Sequence, residues 1–268
     1  IPLVELSAAR IDEQLSARED ALAPKTLNNI RAWVHGLFAR AIERDVWNGA
    51  NPAVRVPVRA VPQRAPSTLK PEEVRVVLDN VPDEWRGVFA TAVYTGMRRG
   101  EIVALQKRDV DLEEGTLVVT RSWMADTTKG RRVRVLPIHA ELKPYLAEAM
   151  ARSPSHLVFS RPDGAMHSTH INLANLLRSA LNRAQLVDGW VLKCRRKGCT
   201  HSEASATPDV KPCPKCRFKL WPSPLSRKVR FHDLRHTTAT LLLKAGYSLA
   251  IVQRVLGHRD PNLTANTY

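Results

Sequence analysis

Phe231-His232-Asp233-Leu234-Arg235-His236-Thr237 is the stretch on which the reading of this chain turns. It opens a segment, residues 232–245, whose apolar residues recur at helical spacing, so a helix is predicted that starts on a cluster of polar and cationic side chains. His232 and Arg235 stand three apart and share a face of that helix. Leu256-Gly257-His258 follows, and Tyr268 comes ten residues after His258. Far upstream lie Arg98, in Thr95-Gly96-Met97-Arg98-Arg99-Gly100-Glu101, and Lys129, in Thr127-Thr128-Lys129-Gly130.

Taken singly, each of these residues has an ordinary reading: a surface arginine, a satisfied histidine, a packed tyrosine. Taken together they match one chemistry. A phosphodiester under attack needs donors on its non-bridging oxygens, a nucleophile and an acid for the leaving oxygen. Two arginine forks can clamp the oxygens. His232 and His258 can donate hydrogen bonds or move protons, Lys129 on a turn can reach a leaving oxygen, and a tyrosine hydroxyl can form an aryl phosphate.

Composition agrees. The chain has 268 residues, with 41 Lys+Arg against 26 Asp+Glu, a formal net charge of +15. Such a balance points to a polyanionic partner. Hydrophobic residues make up 44%, enough for packed cores, which excludes disorder as the main state. No apolar run reaches the ~18 residues of a membrane span, and no signal peptide is visible.

Working outward, residues 24–41 read as an amphipathic helix with Leu27, Ile30, Trp33, Val34, Leu37, Phe38 and Ala41 expected on one buried face. Residues 52–66 hold Pro52, Pro57, Pro62 and Pro66 among Arg55, Arg59 and Arg64, and read as an extended basic linker without core residues: a solvated spacer or a strap across nucleic acid. Pro71-Glu72-Glu73 suits a helix start, and residues 85–94, 142–150, 171–184 and 251–256 read as further helices. Leu117-Val118-Val119-Thr120 and Val133-Arg134-Val135-Leu136 are β-rich, so a small antiparallel sheet is expected with Lys129 near its turn. The fold class is therefore mainly α with a small antiparallel sheet, α+β.

All four cysteines lie between Cys194 and Cys216. Cys194-x4-Cys199 and Cys213-x2-Cys216 form two short knuckles suited to a tetrahedral four-cysteine zinc site, with unligated or oxidised cysteines as the plain alternative, and their clustering argues against a disulfide-stapled secreted fold. His201 is a substitute ligand only if a cysteine is unused. Between Trp190 and Arg230 there are eleven Lys+Arg and two acids, a net +9 that falls to about +7 with four thiolates and Zn²⁺ counted. Arg195, Arg196 and Lys197 in this stretch, with Lys25 and Arg31 in the first helical region, are the candidate DNA contacts; the plain alternative is charge that only keeps the insertion soluble.

The ordered set Arg98, Glu101, Lys129, His232-Asp-Leu-Arg235-His-Thr, Leu-Gly-His258 and Asn-Leu-Thr-Ala-Asn-Thr-Tyr268 resembles the tyrosine recombinase family, in its phage-integrase branch. The resemblance implies a site-specific recombinase, an integrase of a phage or mobile element. In it Tyr268 would form a 3′-phosphotyrosine, Arg98 and Arg235 would bind the phosphate, and Lys129 would protonate the leaving 5′-oxygen. His232 would assist proton transfer, His258 would hold a phosphate oxygen, and Glu101 would support Arg98, although its residue type and place equally suit an ordinary acid in the first turn of a helix. Neither ATP nor Mg²⁺ would be needed. The partners implied are double-stranded DNA at specific recombination sites and further copies of the chain, four in a synapse, with no membrane. The place implied is the cytoplasm of a bacterial or phage-infected cell.

The resemblance also suggests an organisation: residues 1–51 as a helical core-binding domain cut short at its N-terminus, 52–66 as linker, and 67–268 as catalytic domain, with 190–227 a zinc-ribbon-like insertion. Two rivals stand beside it. A type IB topoisomerase uses a similar residue set, and a retired scaffold could serve as a zinc-ribbon DNA-binding regulator.

Overall fold

The computed structural model describes residues 5–62, 66–123, 125, 133–168 and 170–257. Lys129, His258 and Tyr268 lie outside the described residues. The chain divides into two compact units, Ile1–Arg64 and Ala65–Tyr268.

In the first unit, α1 (Ala8–Ser16) begins at Ser7, whose hydroxyl accepts from Arg10 N–H, and α2 (Pro24–Glu43) begins on a proline that has no N–H to lose. Their core is Ile11, Leu15 and Leu27, joined by Ala53 and Val56. Two expectations change here. Leu27 and Phe38 of α2 are buried, but Trp33 is 76% and Leu37 52% exposed, so the buried stripe is narrower than the apolar pattern. The partners available to this helix cover one row of side chains, and the adjoining row stays in solvent. The stretch expected to be a coreless linker also starts inside the fold. Residues Pro52–Arg55 make a 3₁₀ turn capped by Asn51, which buries Ala53 and Val56 against α1 and α2. Arg59 does not stay free either: it pairs with Asp12 at 2.8 Å and with Glu19 at 3.1 Å.

The second unit is built on α4 (Asp83–Thr95), in which every residue from Val88 to Val93 is buried. A helix apolar on all sides belongs at the centre of a core. Around it pack α3 (Pro71–Asp79), α5 (Arg99–Val103), α6 (Lys143–Arg152) and α8 (Asp233–Lys244). α3 starts as its sequence suggests, with Pro71 in the first turn and the Glu73 carboxylate accepting from Lys70 N–H at 2.7 Å. The expected sheet is present as β1 (Val110–Asp111), β2 (Thr116–Val119) and β3 (Arg134–Pro137), antiparallel in that order, with Leu117 opposite Leu136 in the core. Helices α7 (Leu173–Arg183) and α9 (Leu249–Leu256) complete the helical part.

Between α7 and α8 the chain makes a second sheet, β4 (Val187–Cys194), β5 (Ser202–Ser205), β6 (Lys211–Pro212) and β7 (Lys219–Ser226), antiparallel in the order β5-β4-β7-β6. Its base is tied to the helices. Arg227 grips both oxygens of the Glu73 carboxylate at 2.9 and 2.8 Å, and Ser226 Oγ donates to Asn182 Oδ1 at 2.6 Å. Among the described residues, no helix is long and apolar enough to cross a membrane.

Candidate functional site: an arginine cluster around Glu101

The turn after α4 carries the first arginine. Gly96 ends the helix with φ +64°, and a Cβ there would lie 2.7 Å from Leu256 Cδ2, so glycine makes the left-handed turn without strain and leaves Leu256 of α9 room to approach. This turn delivers Arg98 to the N-cap of α5. There the Glu101 carboxylate, 1% exposed, accepts from Arg98 N–H at 2.9 Å through Oε2 and from Arg98 Nη1 at 3.0 Å through Oε1. Glu101 thus serves as both capping residue and counter-ion.

A further arginine, overlooked in the sequence, shares that carboxylate. Arg134 on β3 places Nη2 2.7 Å from Glu101 Oε2, and its Nη1 donates to the Leu256 carbonyl. Arg235, 4% exposed on the first turn of α8, donates through Nη1 to Gly96 O at 2.6 Å and through Nη2 to the same Leu256 carbonyl. The Leu256 carbonyl, the last of α9, has no partner within its own helix, and two guanidiniums supply it. Gly257, with φ +67°, packs its α-carbon on the Arg134 guanidinium, where a side chain would collide. The cluster therefore fixes the chain up to the residue before His258.

Two guanidiniums share the buried Glu101 carboxylate and a third joins them through Leu256, so the cluster is electropositive and suited to an anion. His232 sits at the N-cap of α8, and its ring meets that of His236 edge-on at 5.5 Å. Partial burial of the His232 ring, then the nearby His236, Arg235 and Arg98 charges, lower its pKa below the ordinary 6.5, against an opposing pull from Asp233. His232 is therefore neutral at pH 7 and able to accept a proton. Asp233 is fully buried and is held by Arg230 through its N–H at 2.9 Å and its guanidinium at 2.9 Å.

Thus Arg98, Glu101 and Arg235 are joined through shared partners, and His232 belongs to the same group. Lys129, His258 and Tyr268 lie outside the described residues. Among the candidate DNA contacts, Lys25 is exposed, whereas Arg31 donates through Nε to Val56 O at 2.7 Å and so tethers the segment after α2. Arg195, Arg196 and Lys197 are exposed at one end of the second sheet.

The four cysteines converge. Their Sγ atoms all lie within 4.8 Å of one another, with Cys194 to Cys216 at 3.5 Å and Cys199 to Cys213 at 3.8 Å. Four thiolates at ~2.3 Å from one tetrahedral Zn²⁺ stand about 3.8 Å apart, so the donor set fits that ion. The Phe218 N–H directed at Cys216 favours the thiolate there, while burial and its cysteine neighbours disfavour a second thiolate at Cys194, so without a metal the cluster favours a single negative charge. His201 is not among these ligands; its Nε2 lies 3.0 Å from Glu203 Oε2.

Comparison with known proteins agrees with the fold. Residues 67–201 and 219–268 match the phage integrase family, and the chain belongs to that family. It is 28% identical over 216 residues to an integrase/recombinase of Escherichia coli, an alignment covering 75% of this chain and 59% of that protein. It is 27% identical over 234 residues to the tyrosine recombinase XerC of Myxococcus xanthus, covering 85% of this chain and 66% of the relative. The chain thus spans under two thirds of the length of these relatives. Its fold is that of the Tn1549 transposon integrase solved with a circular intermediate DNA (TM-score 0.72, 16% identity, covering 100% of this chain and 82% of that one). It is also that of a lambda integrase tetramer bound to a Holliday junction (TM-score 0.67, 17% identity, 99% and 65%).

Proposed function

We propose that the chain is a site-specific DNA recombinase that breaks and rejoins strands through a 3′-phosphotyrosine. The observation that carries this reading is the Glu101-centred cluster, in which Arg98 and Arg235 are oriented by buried partners within a member of the phage integrase family. Arg98 and Arg235 bind the non-bridging oxygens of the phosphate and stabilise the charge that grows there in the transition state. Tyr268 Oη attacks phosphorus and His232 takes up the phenol proton. The bond to the 5′-oxygen breaks as Lys129 protonates it, while His258 holds a phosphate oxygen. A 5′-hydroxyl of the partner strand then attacks the aryl phosphate, releases Tyr268 and restores a phosphodiester. One phosphate ester replaces another at each step, so neither ATP nor Mg²⁺ is consumed.

The substrate in this reading is double-stranded DNA carrying specific recombination sites, brought together by four protomers, in the cytoplasm. Residues 1–51 act as core-binding domain, 52–66 as the connection and 67–268 as catalytic domain. Cys194, Cys199, Cys213 and Cys216 hold a structural Zn²⁺ that braces the insertion at 190–227. The test is strand exchange between two plasmid-borne copies of a duplex selected by the protein from a random pool. Recombinant products without added ATP or Mg²⁺ support the reading. Relaxation of supercoils with no recombinants would replace it with a topoisomerase.

A further inference from the structure

We infer that one face of the four-stranded sheet is a second DNA-binding surface, a strip of cations that grips backbone phosphates; this rests on the reading that the chain acts on DNA. The strand register separates the two faces of the sheet. Lys193 of β4 stands opposite Trp221 of β7 and Ser202 of β5, so these three share a face, and Lys219, two residues from Trp221, shares it too. Leu192, Cys194 and Leu220 occupy the opposite face, together with Glu203 and Lys211. Burial follows the same alternation: Leu192 and Leu220 are buried, whereas Lys193, Lys219 and Trp221 are exposed.

Arg195, just beyond β4, adds a third cation, with its guanidinium carbon 5.4 Å from the centre of the Trp221 ring. Around these cations the strand residues of this face, which also include Val191, Ala204, Pro212 and Ser223, contain no carboxylate; Asp188 is exposed in the bulge at the other end of β4. Glu203 lies on the other side and is taken up there by Lys211 at 2.5 Å and His201 at 3.0 Å. The positive charge of the insertion is thus directional. A sheet face that served only solubility would intersperse both signs.

The cations are also presented rigidly. The cation–π contact with Trp221 restrains the Arg195 guanidinium, so less rotamer freedom is lost when a phosphate binds. The Arg227–Glu73 fork and the Ser226–Asn182 hydrogen bond fasten the base of the sheet to α3 and α7. Three lysine and arginine side chains at one exposed end of this face, with no acid among their strand neighbours, fit the phosphate backbone of a duplex, which they would hold without reading its sequence.

The experiment uses the full zinc-loaded chain and a fluorescent duplex of unselected sequence, with Kd measured by anisotropy between about 50 and 200 mM salt. Removing the three charges together, K193Q/R195Q/K219Q, should lower the log–log salt slope by about 2.7, at roughly 0.9 per phosphate contact. Lys219→Gln alone should lower it by about 0.9, and Lys211→Gln, an equal charge loss on the opposite face, should leave it unchanged. Unaltered slopes in the triple variant and Lys219→Gln would overturn the inference, and so would an equal drop in Lys211→Gln. Zinc content per chain reports whether the sheet still folds; should the triple variant lose zinc, the exposed single variants decide. Trapping of covalent adduct on nicked DNA is scored separately. Its absence in the wild type would defeat the recombinase reading while the salt slopes still judged the surface.

Discussion

Arg134 and Glu101 form a buried ion pair, with Nη2 2.7 Å from Oε2 and the two side chains 8% and 1% exposed. Because Arg98 holds the other carboxylate oxygen, Glu101 joins β3 to the turn bearing Arg98. Glu101→Ala leaves two guanidiniums facing each other without this counter-ion. It should destabilise the protein by about 3–5 kcal/mol, the usual cost of orphaning a buried charge, seen as a lower denaturant midpoint. Glu101→Gln keeps the shape and should cost less. Equal stability of Glu101→Ala and wild type would refute the bracing role.

That pair also shows where sequence reading stops. Arg98 with Glu101, and His232 with Arg235, are spaced three apart, so their local geometry follows from helix periodicity. Arg134 was invisible because its partners lie 33 and 122 residues away, at Glu101 and Leu256. The cysteine knuckles were legible from spacing, but the facing of Lys193 and Lys219 depends on strand register, which cysteine spacing does not encode. Trp33 and Leu37 fit a helical stripe equally well whether covered or bare, and the burial of Ala53 and Val56 needed α1 and α2 in place.

The left-handed turn at Gly96, φ +64°, disfavours a side chain. Gly96→Ala meets a backbone penalty of about 1–2 kcal/mol and a contact with Leu256. It should lower Tm by roughly 2–4 °C for each kcal/mol lost in a unit of this size. An unchanged Tm would show that the turn is not constrained as described.

His232 has a lowered pKa, so the folded state binds fewer protons than the unfolded chain as pH falls below 6.5. Its contribution is complete above that pH and is lost as pH drops toward the folded value. Strand cleavage should show an acid limb below 6.5, with the neutral ring as proton acceptor, and His232→Gln should remove that limb while lowering the plateau. A pH–rate profile of the same shape in both proteins would contradict the assignment.

The Arg227–Glu73 fork should report on acid stability. Arg227 holds the Glu73 carboxylate below its ordinary 4.5, so the stabilisation is present above that pH and is lost as pH falls through the lowered value. Arg227→Met should flatten the acid side of the stability curve below 4.5. Identical curves would mean that the base of the second sheet is held by other contacts.

Zinc should be present at one ion per chain by atomic emission. Cys213→Ser, which alters the buried cysteine of the four, should lose the ion and open the second sheet to protease while sparing the helical core. Retention of full zinc by that variant would contradict the assignment of all four cysteines as ligands.

Covalent phosphoryl transfer by Tyr268 is tested by mass spectrometry of the product trapped on a nicked suicide duplex. One DNA 3′-phosphate should be attached to the peptide that contains Tyr268, with no adduct from Tyr268→Phe. An adduct on another residue, or one that persists in Tyr268→Phe, would contradict it.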